Sequence, residues 1–297
     1  MLSRVNLTSN NSQVAPSDYR SYVRQEDNSR WLSTLKVPLG IYCLSGTDER
    51  NLLNRLMHRI GEAPVVYNDT LTGYSAAALR LALQSKGYLQ ARVDTTLTRK
   101  GRRATLTYHL KPGNRSYVHE LRREFDNDTV RRLIMADSSA SRLYKGMPLD
   151  LALLSEERTR IVHRLQNSGY MNANNEFVSF VADTLPLSQA VRLTLQVQAP
   201  RGVDRNMAYQ VYRIGRVALT ELNADEAPTD SSFYRGVTFE AAGQTRINRR
   251  TYVRNLFVLP DSLYRDVATQ YTYQNLNALA AVNYSNIHYA QPAPGDS

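Results

Sequence analysis

Twice in this chain a segment with the spacing of an amphipathic helix stops at Gly-Tyr and gives way at once to alternating apolar and polar residues. In the first copy Leu79, Ala82 and Leu83 form the stripe, Lys86-Gly87-Tyr88 ends it, and Ala91, Val93 and Leu97 begin the alternation. In the second, Leu151, Leu154, Ile161, Val162 and Leu165 share one face, Ser168-Gly169-Tyr170 follows, and Phe177, Val178, Ser179, Phe180 and Val181 come next. A glycine just past a helix takes the left-handed conformation without steric cost, so Gly87 and Gly169 are expected as helix C-caps. A fainter third copy runs through Val267, Tyr271, Leu276, Leu279 and Ala280 into residues 282–289, without the glycine.

The segment after each of the first two helices reads as a hairpin. Residues 92–98 and 103–110 alternate on either side of the polar turn Arg99-Lys100-Gly101-Arg102, and residues 176–183 pair by the same logic with 190–198. Lys111-Pro112-Gly113 and the run from Ala199 to Gly202 then punctuate the chain. Before each helix lies an alternating first strand, over 2–8, 117–125 and 207–219, with Gly215 a candidate bulge in the last. Asp126-Asn127-Asp128 supplies an N-cap in front of a short helix at 130–135. The expected fold class is therefore α+β, built of tandem β-α-α-β-β modules, each a three-stranded mixed sheet covered by two helices. The expected domains are 1–113 with an insertion at 11–49, 114–202, and 203–297 with an insertion at 220–248. That last insertion is expected to hold a hairpin of 233–239 against 244–247 turned at Gly243. The third module would lack its last strand, and the natural protein would continue beyond it.

Composition removes several function classes. The chain of 297 residues has one cysteine, Cys43, so no internal disulfide supports a small core. The longest apolar run, residues 35–44, contains Lys36 and Pro38 and is too short to span a bilayer as a helix. The opening residues have no apolar segment of signal-peptide type, which leaves a cytoplasmic protein or one whose export signal has been removed. Of 37 basic residues all but Lys36, Lys86, Lys100, Lys111 and Lys145 are arginine, the net charge is +10, and 19 tyrosines offer faces for guanidinium stacking. Such a surface attracts nucleic acid, anionic lipid or acidic protein alike.

Catalytic constellations are missing from the sequence. His58, His109, His119, His163 and His288 never fall in a metal-ligand spacing, and no phosphate-cradling loop or nucleophile elbow occurs. Neither an enzyme activity nor a cofactor is expected. Asp126-Asn127-Asp128 opens like a calcium loop but has Arg131 where glycine belongs, so helix capping is the better reading. Glu156 and Glu157, one apart on a helix, point about 100° from each other and cannot share a substrate; Glu156 is expected to pair with Arg160. Asn6, Asn10, Asn68, Asn127 and Asn283 head Asn-x-Ser/Thr triplets that chance accounts for. The basic clusters at 99–103 and 246–250 lack interleaved aromatics to stack bases, which makes them solvated turns before nucleic-acid sites.

The repeated unit resembles the POTRA (polypeptide-transport-associated) domain. Specific phrases carry the likeness: Tyr22-Val23-Arg24-Gln25 with Ser29-Arg30-Trp31, Leu39-Gly40-Ile41-Tyr42, the run from Gly61 to Tyr67, Leu143-Tyr144-Lys145-Gly146, Glu157-Arg158-Thr159-Arg160-Ile161 and Ser168-Gly169-Tyr170. In this order they are similar to the N-terminal region of BamA/TamA-like outer-membrane assembly proteins, most of all to the lipoprotein form of the translocation and assembly module. The resemblance implies a periplasmic array at the outer membrane of a Gram-negative bacterium, feeding a C-terminal membrane barrel. The chain departs from the family in having neither a lipid-carrying cysteine near its start nor barrel strands, which reads as a soluble fragment.

Three strands under two helices leave open sheet edges, which an extended client can join through main-chain hydrogen bonds. The expected partners are unfolded outer-membrane protein clients, a periplasmic or inner-membrane assembly partner, and the protein's own barrel. The first strand of each hairpin, over 88–97, 176–181 and 282–289, is expected at an edge. Phe177, Val178, Ser179, Phe180 and Val181 are the preferred partner-binding stretch, with proline at Ser179 the expected block. The alternative function is a basic nucleic-acid-binding repeat protein.

Overall fold

The computed structural model describes residues 1–28, 62–184, 190–221, 230–241 and 247–290. Cys43, His58, Trp31, the apolar run at 35–44 and the turn expected at Gly243 lie outside them. The chain divides into two compact units, Met1–Glu120 with Tyr144–Leu153 and Ala182–Arg192, and Leu121–Leu143 with Leu154–Val181 and Leu193–Ser297.

The first sheet contains β1 (Leu2–Ser9), β2 (Arg92–Lys100) and β3 (Arg103–Lys111) in the order β1-β3-β2. β1 runs parallel to β3 and β2 antiparallel to it. A parallel neighbour needs a long crossover, and here the crossover carries a 3-10 turn, Pro16–Tyr22, and the helix α1 (Asp69–Ser85). Asn68 caps α1 by accepting the N–H of Leu71. Leu79, Ala82 and Leu83 of α1, Leu2 and Val5 of β1, and Leu106, Tyr108 and Leu110 of β3 close one core, completed by Val14, Tyr19, Val23, Tyr88 and Ala91. The apolar positions read from the sequence are thus those that fill it.

The middle sheet repeats the order as β4 (Tyr117–Phe125), β6 (Ala190–Val197) and β5 (Val178–Thr184). Between β4 and β5 come α2 (Asp128–Ala136), capped by Asn127, and α3 (Leu151–Gln166). The strand, helix, helix, strand, strand path read from the sequence is the observed one here.

The third sheet reaches the same order by another path. β7 (Val217–Glu221) lies parallel to β9 (Val237–Ala241), and β8 (Asp230–Tyr234) antiparallel to β9. The helices α4 (Arg249–Asn255) and α5 (Asp266–Asn277) come after all three strands. Four expectations are corrected here. A hairpin turns at Arg235-Gly236, both at positive φ, so Phe233 and Phe239, expected on one strand, belong to different strands. Residues 282–289 alternate in sequence but form no strand, because among the described residues no neighbouring strand offers them a ladder. Of the first strand expected at 207–219 only Val217 to Leu219 lie in a strand, with Arg213 in a single bridge. Arg205–Ala208 is a single helical turn, and Gly215 precedes the strand without bulging it.

Gly87 and Gly169 are more than caps. Both have positive φ. The carbonyl of Gly87 accepts the N–H of Ser116, whose carbonyl accepts the N–H of Leu149; two residues on, Val118 N–H binds the Met147 carbonyl and Gly146 N–H binds the Val118 carbonyl. The same four bonds recur from Tyr212 to Gly169, Tyr264 to Tyr212, Ile214 to Ser262 and Asp261 to Ile214. The single β-bridges Tyr117 to Pro148 and Arg213 to Leu263 correspond as well. Each helix end is therefore tied, by one repeated main-chain frame, to the residues ahead of the next strand and the next long helix.

Candidate functional site

The order β4-β6-β5 puts β5 at an edge of the middle sheet, and β2 is likewise at an edge of the first. The structure distributes the sequence-selected stretch unevenly along β5. Phe177 belongs to a 3-10 turn, Asn175–Phe177, started by Asn174, whose side chain accepts the N–H of Glu176. Phe177 and Val178 are buried, at 2% and 1% exposure, and the Phe177 ring meets Tyr209 edge-on at 5.9 Å. These two side chains anchor the strand in the core. Val181 is 40% exposed, and Ala182, Asp183 and Thr184 are exposed too.

The direction of the main chain follows from two contacts. The Phe177 carbonyl accepts the N–H of Gln198 at 3.0 Å, and Ser179 Oγ stands 3.4 Å from Gln196 Oε1. In an antiparallel ladder alternate residues turn their N–H and C=O to the same side. The Phe177 carbonyl and the main-chain groups of Ser179 and Val181 therefore face β6, and those of Phe180 and Ala182 face outward at the edge, while the Val178 N–H is taken by the Asn175 carbonyl. This corrects the choice of Ser179 for a proline block, since its N–H serves the internal ladder. The outward-facing main-chain positions are Phe180 and Ala182.

Beside this edge lies α3. Its Leu154, Ile161, Val162 and Leu165 are buried, and the Arg158 guanidinium lies over the Phe180 ring at 5.8 Å. Glu157, 1% exposed, fixes the helix to the segment before it. Its carboxylate accepts from Ser141 Oγ at 2.7 Å, the Arg142 N–H at 3.1 Å, and Arg160 Nε and Nη2 at 3.0 and 2.8 Å. Arg160 Nη1 also reaches Asp137 at 2.6 Å. Burial, the largest influence, opposes ionisation of Glu157, but the hydrogen bonds from Arg160, Ser141 and the Arg142 N–H with the Arg160 charge outweigh it, so its pKa lies below the usual carboxylate value. Glu156 pairs with Arg142 at 2.6 Å, not with Arg160 as its spacing suggested. The two neighbouring carboxylates do point apart, each to its own cation.

The Gly169 end of α3 is set by Val211 and Leu263, whose side chains would lie 2.7 and 2.8 Å from an added Cβ. Asn167 Oδ1 accepts the Val267 N–H at the start of α5. Tyr209, beneath Phe177, donates its hydroxyl to Asp126, the residue expected to help cap α2; Asn127 makes that cap, while Asp126 Oδ2 accepts the N–H of Ala199.

Among the described residues no group of three or more His, Cys, Asp or Glu is placed to hold a metal ion. No described helix is long and apolar enough to cross a membrane. His109 stands between Thr8 and Thr96, 3.0 Å from each hydroxyl, in a sheet face and not a cavity.

No protein-family model matches the chain, and no curated protein matches it. Among solved structures it is similar to the crystal structure of Haemophilus influenzae BamA POTRA3-5, at 13% identity and a TM-score of 0.44, covering 96% of this chain and 91% of that one. It is also similar to POTRA1-3 of the periplasmic domain of Omp85 from Anabaena, at 10% identity and a TM-score of 0.30 over 93% and 83% of the two chains. A third similarity is to BamA from Haemophilus ducreyi lacking POTRA domains 1-3, at 18% identity and a TM-score of 0.31, covering 58% of this chain and 29% of that one.

Proposed function

We propose that the chain is a periplasmic protein-binding scaffold of POTRA-like modules, bounded at 1–113, 114–202 and 203–297, which takes part in outer-membrane protein assembly. It receives an extended segment of a client or assembly partner as a fourth strand on β5. A β-barrel attached to the same protein would be the destination of the client, and no cofactor or bond-making step is required of the chain.

One observation carries the reading: β5 ends its sheet, its outer main-chain groups at Phe180 and Ala182 point away from β6, and its residues from Val181 to Thr184 are exposed. Main-chain pairing recognises extended backbone regardless of sequence, which suits a handler of many clients. The sheet order repeated in all three copies and the Gly-Tyr phrases of the first two support the modular part. The lipoprotein form of the translocation and assembly module is the member of this class whose phrases the sequence shares.

The test is photocrosslinking of an extended peptide from an outer-membrane barrel strand to the whole chain. Ala182→Pro removes an outward N–H and leaves the ladder to β6 whole, so crosslinking at β5 should fall to background while the melting curve stays put. Undiminished crosslinking in that variant rejects β5 as the site. Binding to nucleic acid, falling steeply with salt, would favour the basic repeat-protein reading instead.

A further inference from the structure

The register of the first sheet fixes which side chains share the face turned away from its core. Leu106, Tyr108 and Leu110 of β3 are buried in the core, so Thr105, Thr107 and His109 point the other way. Across from Thr105 stand Arg4 and Thr98, across from Thr107 stand Asn6 and Thr96, and across from His109 stand Thr8 and Asp94. One further row, Lys100 opposite Arg103, lies beyond the first of these, and another, Arg92 opposite Lys111, beyond the last. No side chain in this grid is a large hydrophobic one.

Like charges placed directly opposite each other weaken a strand pair. Lys111 is relieved by Asp94 at 2.6 Å. Arg4, Lys100 and Arg103 are exposed and have no acidic partner among the described residues, and the turn between the last two adds Arg102. The same face of the middle sheet is built differently: Arg192 meets Glu120 at 2.7 Å, and Gln196 meets Glu124 at 2.9 Å. Since the repeat tolerates matched charges at this place, the unmatched cations of the first sheet are not a requirement of the fold.

We infer that the face of the first sheet turned away from its core is a docking surface for an anionic lipid bilayer, held through the phosphates of its headgroups. Arg103 and Lys111 are eight residues apart on one strand, so the two cationic rows are separated by about 26 Å, a span that suits an extended surface and not a single small anion. Arginine and lysine are strong phosphate donors, and a flat grid of threonines presents hydroxyls at headgroup level with no apolar wedge to insert. The face has no aromatic ring on which a base could stack and no apolar anchor of the kind that dominates protein interfaces. This inference is independent of the strand-addition reading, because it concerns another face of another sheet.

The experiment is co-sedimentation of the whole chain with vesicles of phosphatidylcholine alone and of phosphatidylcholine mixed with phosphatidylglycerol, at low and high salt. The chain should sediment with the mixed vesicles only, and salt should release it. Lys100→Glu with Arg103→Glu should lower partitioning about a hundredfold or more, and Arg4→Gln alone about fivefold, with circular dichroism unchanged. Amide exchange should slow along β2 and β3 on vesicles and not along β5. Equal partitioning by the reversed variant or by Arg4→Gln, equal binding to neutral vesicles, or displacement from the vesicles by single-stranded DNA would each overturn the inference.

Discussion

The carbonyl oxygen of Gly169 accepts the main-chain N–H of Tyr212 at 2.9 Å, and Gly87 receives Ser116 in the same way at 2.8 Å. The frames match in main chain but differ in what surrounds the glycine. An added Cβ at Gly87 would run into the main-chain carbonyl oxygen of Leu149, whereas at Gly169 it would meet the side-chain ends of Val211 and Leu263.

The two glycines should therefore respond unequally to alanine. Both substitutions incur the left-handed penalty of about 1–2 kcal/mol. At Gly169 the crowding is eased by rotation of two side chains, so the total loss should be about 2 kcal/mol. At Gly87 a backbone atom must move, and the loss should be about 3 kcal/mol or more. Urea unfolding of the two variants measures both, and a smaller loss for Gly87→Ala than for Gly169→Ala would contradict the frame.

Periodicity alone located α1, α3, the first hairpin and most of the first two cores, because each depends on contacts its own segment forms. The frame was not legible, since Gly87 and Leu149 are distant in sequence and a cap explains the glycine by itself. The buried tyrosines next to the glycines, Tyr88 and Tyr170, were the available signal. The turn at Arg235-Gly236 escaped because arginine at positive φ is imposed by the hairpin and is not a preference of the residue. Residues 282–289 show the converse: alternation marks a surface that fits a sheet, and only a neighbouring strand makes one. In β5 the apolar character that drew attention to Phe177 and Val178 reports burial, while the outward-facing main chain belongs to Phe180 and Ala182.

Tyr108 is wholly buried, and its hydroxyl has no hydrogen-bond partner among the described residues. A buried hydroxyl without a partner costs about 1–3 kcal/mol, and phenylalanine keeps the ring without it. Tyr108→Phe should raise stability by about 1 kcal/mol in a denaturant titration. A loss of that size would mean the hydroxyl is satisfied in solution.

Glu157 should make stability depend on acid. Its pKa is lowered in the folded chain, so its contribution is present above the unfolded carboxylate value near 4.5 and disappears as pH falls through the lower folded value. Glu157→Gln should flatten the decline of stability below about pH 5. Glu157→Ala leaves Arg160, the Ser141 hydroxyl and the Arg142 N–H without their acceptor and should cost about 3–5 kcal/mol at neutral pH. Unfolding curves taken across acidic pH test both, and an unchanged acid profile in Glu157→Gln would assign the decline to other carboxylates.

Asp150 gives the first frame an electrostatic clasp that the second lacks. Its carboxylate lies 3.1 Å from Lys86 Nζ and 3.6 Å from Arg115 Nη2, and it caps α3 by accepting the Ala152 N–H at 2.9 Å. Arg115 also donates to the Lys86 carbonyl at 2.8 Å and covers the Tyr88 ring. At the corresponding place in the second frame stands Arg265, whose side chain makes no cap bond. Asp150→Asn retains a cap acceptor but removes the charge, so it should cost about 1 kcal/mol at low salt and less as salt screens the half-exposed Lys86. Asp150→Ala removes cap and charge together and should cost about 2 kcal/mol, part of which no salt concentration recovers. Measuring both variants at low and high salt separates the two contributions, and equal salt dependence in Asp150→Asn and the parent chain would leave only the cap.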